Sequence, residues 1–178
     1  MEPSYNKAQI RAIIGLGNPG AKFYRNRHNI GFRAVDAIAA AYDAAWKETD
    51  AMSHATIRPE GIAYDIYLIK PKTYMNSSGL VMPWLTKKGI KPEEILVVHD
   101  ELEKKFSRLV LKFGGSHKGH NGLRSLIGAV GPLFWRLKFG IDRPGEQEHV
   151  PNYVLADFTS EQELLVPDLL KKAVDLII

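Results

Sequence analysis

The stretch ILVVHDEL, residues 95–102, decides how the chain is read. Ile95 to Val98 are four aliphatic residues in succession, with no polar residue between them, so the strand they form is covered on both faces. Such a strand belongs at the centre of a sheet layered between helices. Working outward, Ala12–Leu16 reads as a second short buried strand running into GLGNPG, and Phe32, Val35, Ile38, Ala39 and Tyr42 follow at helical spacing. Ile62–Ile69 reads as a strand and Leu80–Lys88 as a short helix stopped by Gly89. Leu109, Leu111 and Phe113 alternate with Arg108, Val110 and Lys112, as in a strand with two unlike faces. A helix follows over Leu123–Val130, then a strand over Trp135–Ile141, and Glu161–Ile178 closes the chain as a helix. Strands separated by helices make an α/β fold, whose functional groups sit in loops at the carboxyl ends of the strands.

The remaining statistics bound the chemistry. A chain of 178 residues has room for one domain but not two with separate cores, and 45% hydrophobic with 25% charged residues is the composition of an ordinary globular protein. The absence of cysteine excludes disulfides, zinc knuckles, iron–sulfur clusters and thiol nucleophiles, leaving oxygen, amide and imidazole groups. No apolar core of a signal peptide follows Met1 and no run is long enough to span a membrane, so a cytoplasmic protein is expected. The net charge of +4 is unevenly spread. From Asp100 to Arg143 nine basic residues face four acidic ones, whereas from Pro144 onward two lysines face seven carboxylates. The first region suits phosphates and the second does not.

Gly15, Gly17 and Gly20 have the spacing of a dinucleotide-binding loop. That loop works by opening a helix whose free N–H groups meet a pyrophosphate. Here Pro19 removes a donor and AKFYRNRHN delays the helix, so the glycines are read as a tight turn that presents Asn18 at a strand end, its amide free to donate to a substrate carbonyl. Three loops place polar groups just past apolar strands: Asn18–His28, Tyr74–Ser78, and His99–Glu101 with Ser116–Asn121. Asp100 sits at the rim of the buried strand and needs a partner, and an imidazole such as His28 suits it. A carboxylate holding one ring N–H fixes the tautomer and makes the other nitrogen a base toward water. No serine occupies a GxSxG elbow. His117 and His120 are the only pair with metal-like spacing, and they are read as loop hydrogen-bonding residues because no neighbouring carboxylate completes a site.

Five blocks, GLGNPG with RHNIGF, KPKTYMNSSG, ILVVHDEL, KFGGSHKGHNGLRS and FWRLKFGIDRP, now stand together. In their order and approximate spacing the chain closely resembles the bacterial-type peptidyl-tRNA hydrolases, nearly end to end. The resemblance implies a single-domain α/β/α sandwich around a mixed, mostly parallel sheet, acting as a monomer on the ester that joins a peptide to the terminal ribose of tRNA. No cofactor, metal or membrane is implied. It implies His28 as general base, with Asp100 stabilising its basic form, and Asn18 as the residue that distinguishes blocked from unblocked aminoacyl-tRNA. Tyr74, Asn76 and Asn121 match positions that hold the tRNA 3′ end and peptide, and Lys112 and Lys138 match a clamp on the phosphate at the acceptor end.

The chain departs from the family pattern at a few places. Phe23 stands where a tyrosine is usual, with Tyr24 beside it, so aromatic stacking is retained for this substrate-binding position without its phenol. The loop usually written GGGHGGHNG carries Ser116 and Lys118, and an expected arginine is Lys138, a point charge without a guanidinium fork. Ile178 falls in an apolar run where relatives continue. A non-catalytic RNA-binding relative is the alternative reading, disfavoured because the basic residues do not extend beyond the acceptor-stem set.

Overall fold

A computed structural model describes residues 1–145 and 149–178. Glu146 and Glu148 of the acidic tail therefore lie outside the described residues. The strands are β1 (Ala12–Gly15), β2 (Lys47–Glu48), β3 (Met52–Ile57), β4 (Ile66–Pro71), β5 (Ile95–Glu101), β6 (Leu109–Phe113) and β7 (Trp135–Gly140). The α-helices are α1 (Ile30–Ala41), α2 (Met82–Lys87), α3 (Asn121–Val130), α4 (Val150–Val154) and α5 (Ser160–Ile177). One sheet holds all seven strands in the order β2-β3-β4-β1-β5-β7-β6.

The aliphatic run of β5 lies where its sequence demands, between β1 and β7 and parallel to both. β1 is also parallel to β4, whereas β3 pairs with β2 and β4, and β6 with β7, in antiparallel fashion. Parallel pairing is thus confined to the four central strands rather than prevailing through the sheet. β2, β3 and β4 follow one another by short connections that only antiparallel pairs allow, whereas β6 reaches its antiparallel partner β7 through a longer connection that contains α3. β3 is absent from the sequence reading because MSHATI lacks clean alternation. The expected strand Ile62–Ile69 begins only at Ile66, since the Ile57–Ile66 pairing leaves 58–65 as a hairpin loop, tied by Arg58 and Asp65 at 2.8 Å.

Alternation along the strands splits the core into two layers. Ile13, Leu96, Val98 and Leu137 meet Val35 and Ile38 of α1 and Ala173 and Ile177 of α5. Ile14, Ile95 and Val97 on the other face meet Leu85 of α2 and Leu123 and Leu126 of α3. The result is the expected α/β/α sandwich. α1 sits unusually close to the sheet: a Cβ on Gly31 would come within 2.4 Å of Leu16 N and Val98 O, and one on Gly15 within 2.1 Å of Gly31 O. A Cβ on Gly17 would strike the Phe32 ring at 2.7 Å. Two of the three glycines in GLGNPG therefore serve close helix–strand packing, and only Gly20, at φ 110°, meets the expectation of a turn glycine. That packing brings the residues just before α1 to the carboxyl ends of β1 and β5.

Candidate active site

His28 lies in a 3₁₀ turn, Arg27–Asn29, that is fastened on every side. Asn26 donates to Asp157 at 2.7 Å, and Arg27 donates to Tyr153 O at 3.1 Å while lying over the Tyr153 ring. Asn29 exchanges hydrogen bonds with the Asn18 backbone at 2.9 and 2.8 Å. The turn thereby holds the His28 ring, which is buried but reaches a cleft, with Nδ1 at 2.8 Å from Asp100 Oδ2. Nδ1 donates to the carboxylate, and Nε2 has no partner among the described residues.

Asp100 has a second imidazole. His120 Nε2 approaches its Oδ1 at 2.8 Å. His120 is also the N-cap of α3, its Nδ1 accepting from Gly122 N at 3.1 Å and Leu123 N at 3.3 Å. An Nδ1 that accepts carries no proton, so the cap fixes the tautomer in which Nε2–H donates to Asp100. Burial alone raises a carboxyl pKa, but the charges of His28 and His120 and their hydrogen bonds overcome it and hold Asp100 far below the usual carboxylate range. Burial likewise pushes the His28 imidazole down, and the Asp100 charge and hydrogen bond outweigh it, leaving His28 above its ordinary value. His99, behind them, donates to the Asp100 carbonyl at 2.7 Å and is pushed down to about 3 by burial and by His120, so it stays neutral.

Asn18 stands opposite. Its Oδ1 accepts from Met75 N at 2.8 Å, an arrangement that orients the amide and leaves its NH₂ without a partner among the described residues. The cleft has a volume of about 480 Å³ and is lined by Asn18, His28 and Asp100, by Tyr74, Asn76 and Asn121, and by an apolar wall that includes Val150, Pro151 and Val154. A larger groove of about 880 Å³ runs between α2 and α3, but no imidazole or carboxylate lines it. A base, a carboxylate behind it and an amide donor across a cleft are the parts needed to activate water against a carbonyl.

Residues 12–178 match the family model described as peptidyl-tRNA hydrolase. The chain belongs to the peptidyl-tRNA hydrolase family. A relative named peptidyl-tRNA hydrolase from Sulfurihydrogenibium sp. is 43% identical over 172 residues, 95% of this chain and 89% of that protein. One of the same name from Neisseria meningitidis is 39% identical over 94% of this chain and 88% of its own length. The crystal structure of peptidyl-tRNA hydrolase from Acinetobacter baumannii superposes with a TM-score of 0.90 at 37% identity, covering 98% of this chain and 89% of that one. These matches favour the hydrolase over the RNA-binding alternative.

The site expected for a peptidyl-tRNA hydrolase is brought together in part. His28, Asp100, Asn18, Tyr74, Asn76 and Asn121 all line the cleft. Phe23 does not; its ring lies under Lys22 on a neighbouring 3₁₀ turn. Lys112 and Lys138 are also outside the cleft lining. They lie on one face of the β6–β7 pair, where Val110 opposes Lys138 and Lys112 opposes Arg136, as their alternation with apolar neighbours requires. Lys112 is exposed, but Lys138 is buried and paired with Glu101 at 3.4 Å, so it does not simply solvate an open sheet face.

Sequence reasoning missed the role of His120. The expectation that no carboxylate stands near the His117–His120 loop is wrong, because Asp100, twenty residues earlier, is in contact with it. His28, Asp100 and His120 present nitrogen and oxygen atoms within 4.8 Å of one another, and the N–H protons that both rings direct at Asp100 make this a hydrogen-bonded cluster. The available signal was Asp100 itself: a buried carboxylate has more than one oxygen to satisfy. The α4 wall was also missed, since five residues around Pro151 are too short for periodicity to reveal.

Proposed function

We propose that the chain hydrolyses the ester between a peptide, or an N-blocked amino acid, and the terminal ribose of tRNA, as a monomeric cytoplasmic enzyme with one domain over residues 1–178. The observation that carries this reading is the His28–Asp100 pair, with the free Nε2 of His28 opening into the cleft opposite the Asn18 amide. Water gives a proton to His28 Nε2 as its oxygen adds to the ester carbonyl carbon. Asp100 holds the resulting imidazolium. The carbonyl oxygen becomes an oxyanion that amide donors of Asn18 and Asn121 and the positive end of α3 steady. The imidazolium then returns the proton to the ribose oxygen as the ester bond breaks, releasing a carboxylic acid and tRNA. Tyr74 and Asn76, on the exposed rim, hold the 3′ end. Incubation with N-acetylated aminoacyl-tRNA and with the free aminoacyl form tests activity and selectivity together; rapid hydrolysis of the blocked form alone is the expected outcome, and no hydrolysis of either overturns the reading.

Asn18 supplies the selectivity, through an NH₂ that recognises a blocked amino group's carbonyl. Asn18→Ala removes the NH₂ donor, together with the acceptor that Met75 N–H uses, and adds no charge to the cleft, so the preference for N-acyl over free substrates narrows by about tenfold, the cost of one good hydrogen bond. The ratio of kcat/KM on the two substrates measures it, and an unchanged ratio refutes the role.

Lys112 and Lys138 form a clamp on the acceptor-end phosphate. Each change to alanine should reduce the salt slope of tRNA binding by roughly 1. The loss should appear in KM on full-length substrate and be small on a minimal N-acyl substrate that lacks the acceptor stem. Equal losses on both would mean that the lysines support the fold or the cleft, a real contrast for Lys138 because Glu101 also depends on it.

A further inference from the structure

Lys118 occupies a backbone position that suits glycine. Its φ is 44°, in the left-handed region that L residues adopt at a cost, and such strain persists where surrounding structure enforces it. The enforcement is visible at both ends of the loop. Arg136, buried in β7, donates to Ser116 O at 2.7 Å and to Gly115 O, while His120 caps α3 two residues after Lys118. Gly119 N closes the turn by donating to His117 Nδ1 at 3.0 Å. The side chain so held is exposed, yet it lines the cleft that contains His28.

The surrounding charges favour an anion there. Glu101 is engaged by Lys138, and Glu103 by Arg143. Lys138 is held below the ordinary lysine value by burial and, against the pull of Glu101, by Lys118 and Lys112, so three ammonium groups share one region. Lys112 and Lys138 lie outside the cleft lining and Lys118 lies on it, so Lys118 is the one of the three that reaches the cleft of the catalytic pair.

We propose that Lys118 is a third phosphate contact, one that guides the single-stranded 3′ end of tRNA from the Lys112–Lys138 clamp into the cleft by binding a backbone phosphate of that strand. The proposal rests on the tRNA reading above. It needs no base recognition, since a lysine reads a phosphate as a point charge and carries no sequence information.

The test is a titration of fluorescently labelled deacylated tRNA with the intact protein across a salt series. Lys118→Gly should weaken binding by roughly threefold to tenfold at low salt and reduce the slope of log K against log salt by about 0.7, the value for one phosphate on a single strand. Glycine suits φ 44°, so the variant should melt no lower than the wild type, and Lys118→Arg should restore both affinity and slope. The loss should persist on tRNA whose 5′-terminal phosphate has been removed and vanish on tRNA lacking its unpaired 3′ nucleotides. An unchanged slope, or a loss that survives removal of the 3′ nucleotides, overturns the proposal. Because the readout is binding, it is decided separately from the hydrolase reading, which fails on its own if N-acetylated aminoacyl-tRNA is not cleaved.

Discussion

Replacing His28 with alanine should lower kcat by about 10²- to 10⁴-fold, the range for a positioned general base, while tRNA affinity changes little. The separation follows from where the groups lie. The imidazole is buried at the floor of the cleft, whereas the cations proposed to hold phosphate lie on the β6–β7 face and the adjacent loop. The fold should survive the change, because Asp100 keeps its hydrogen bond from His120 and the turn keeps its ties through Asn26, Arg27 and Asn29. Single-turnover rates with N-acetylated aminoacyl-tRNA and a parallel binding titration measure the two effects. A variant retaining more than about a tenth of the wild-type rate would remove His28 from the role of base, since that falls well short of the least expected of a positioned base.

Asp100→Asn is nearly isosteric, yet its expected effect approaches that of losing His28. The cap on α3 commits His120 Nε2–H as a donor, so the carboxamide oxygen takes the Oδ1 position and its NH₂ takes the Oδ2 position, the closer of the two to His28 Nδ1 at 2.8 Å against 3.0 Å. The NH₂ group then faces His28 Nδ1 and drives the ring to the tautomer with the proton on Nε2, which cannot act as a base. A wrong tautomer in a comparable triad costs up to about 10⁴ in rate, and a loss of at least about 10² is expected here. The pH profile carries a second signature. In the wild type Asp100 overcomes the effect of burial and raises the His28 pKa, so the acidic limb of kcat/KM lies above the ordinary histidine value of about 6.5. Without the carboxylate, burial remains and the limb moves to lower pH. If the limb stays where it was, the pair is not coupled.

The same shifts set the pH dependence of stability. A depressed Asp100 pKa contributes stability that is complete above the unfolded carboxyl value, about 4, and is lost as pH falls toward the folded value. A raised His28 pKa contributes stability present below the unfolded histidine value and lost as pH rises through the folded one.

Periodicity and turn chemistry located most elements, because they depend on neighbours along the chain. The unbroken run Ile95–Val98 placed β5 at the centre of the sheet, the spacing of Val35 and Ile38 marked α1, and alternation put Lys112 and Lys138 on one face. The polar groups after β1, β4 and β5 marked the loops where the cleft opens, and the resemblance supplied their roles. Other features required contacts that no local pattern encodes. His28 meets Asp100 across 72 residues, and the close approach of Gly31 to Gly15, Leu16 and Val98 brings the start of α1 near enough for that. The part of His120 depends on two contacts made by one ring, a helix cap on one nitrogen and Asp100 on the other. The burial of Lys138 depends on Glu101 lying one strand away, and Phe23 stays out of the cleft although its neighbours in sequence lead into it. A residue type and its period determine which face a side chain takes, since that follows from backbone geometry alone. Which group it meets there is decided by how distant segments pack, and in this protein the proton-transfer pair is one of those meetings.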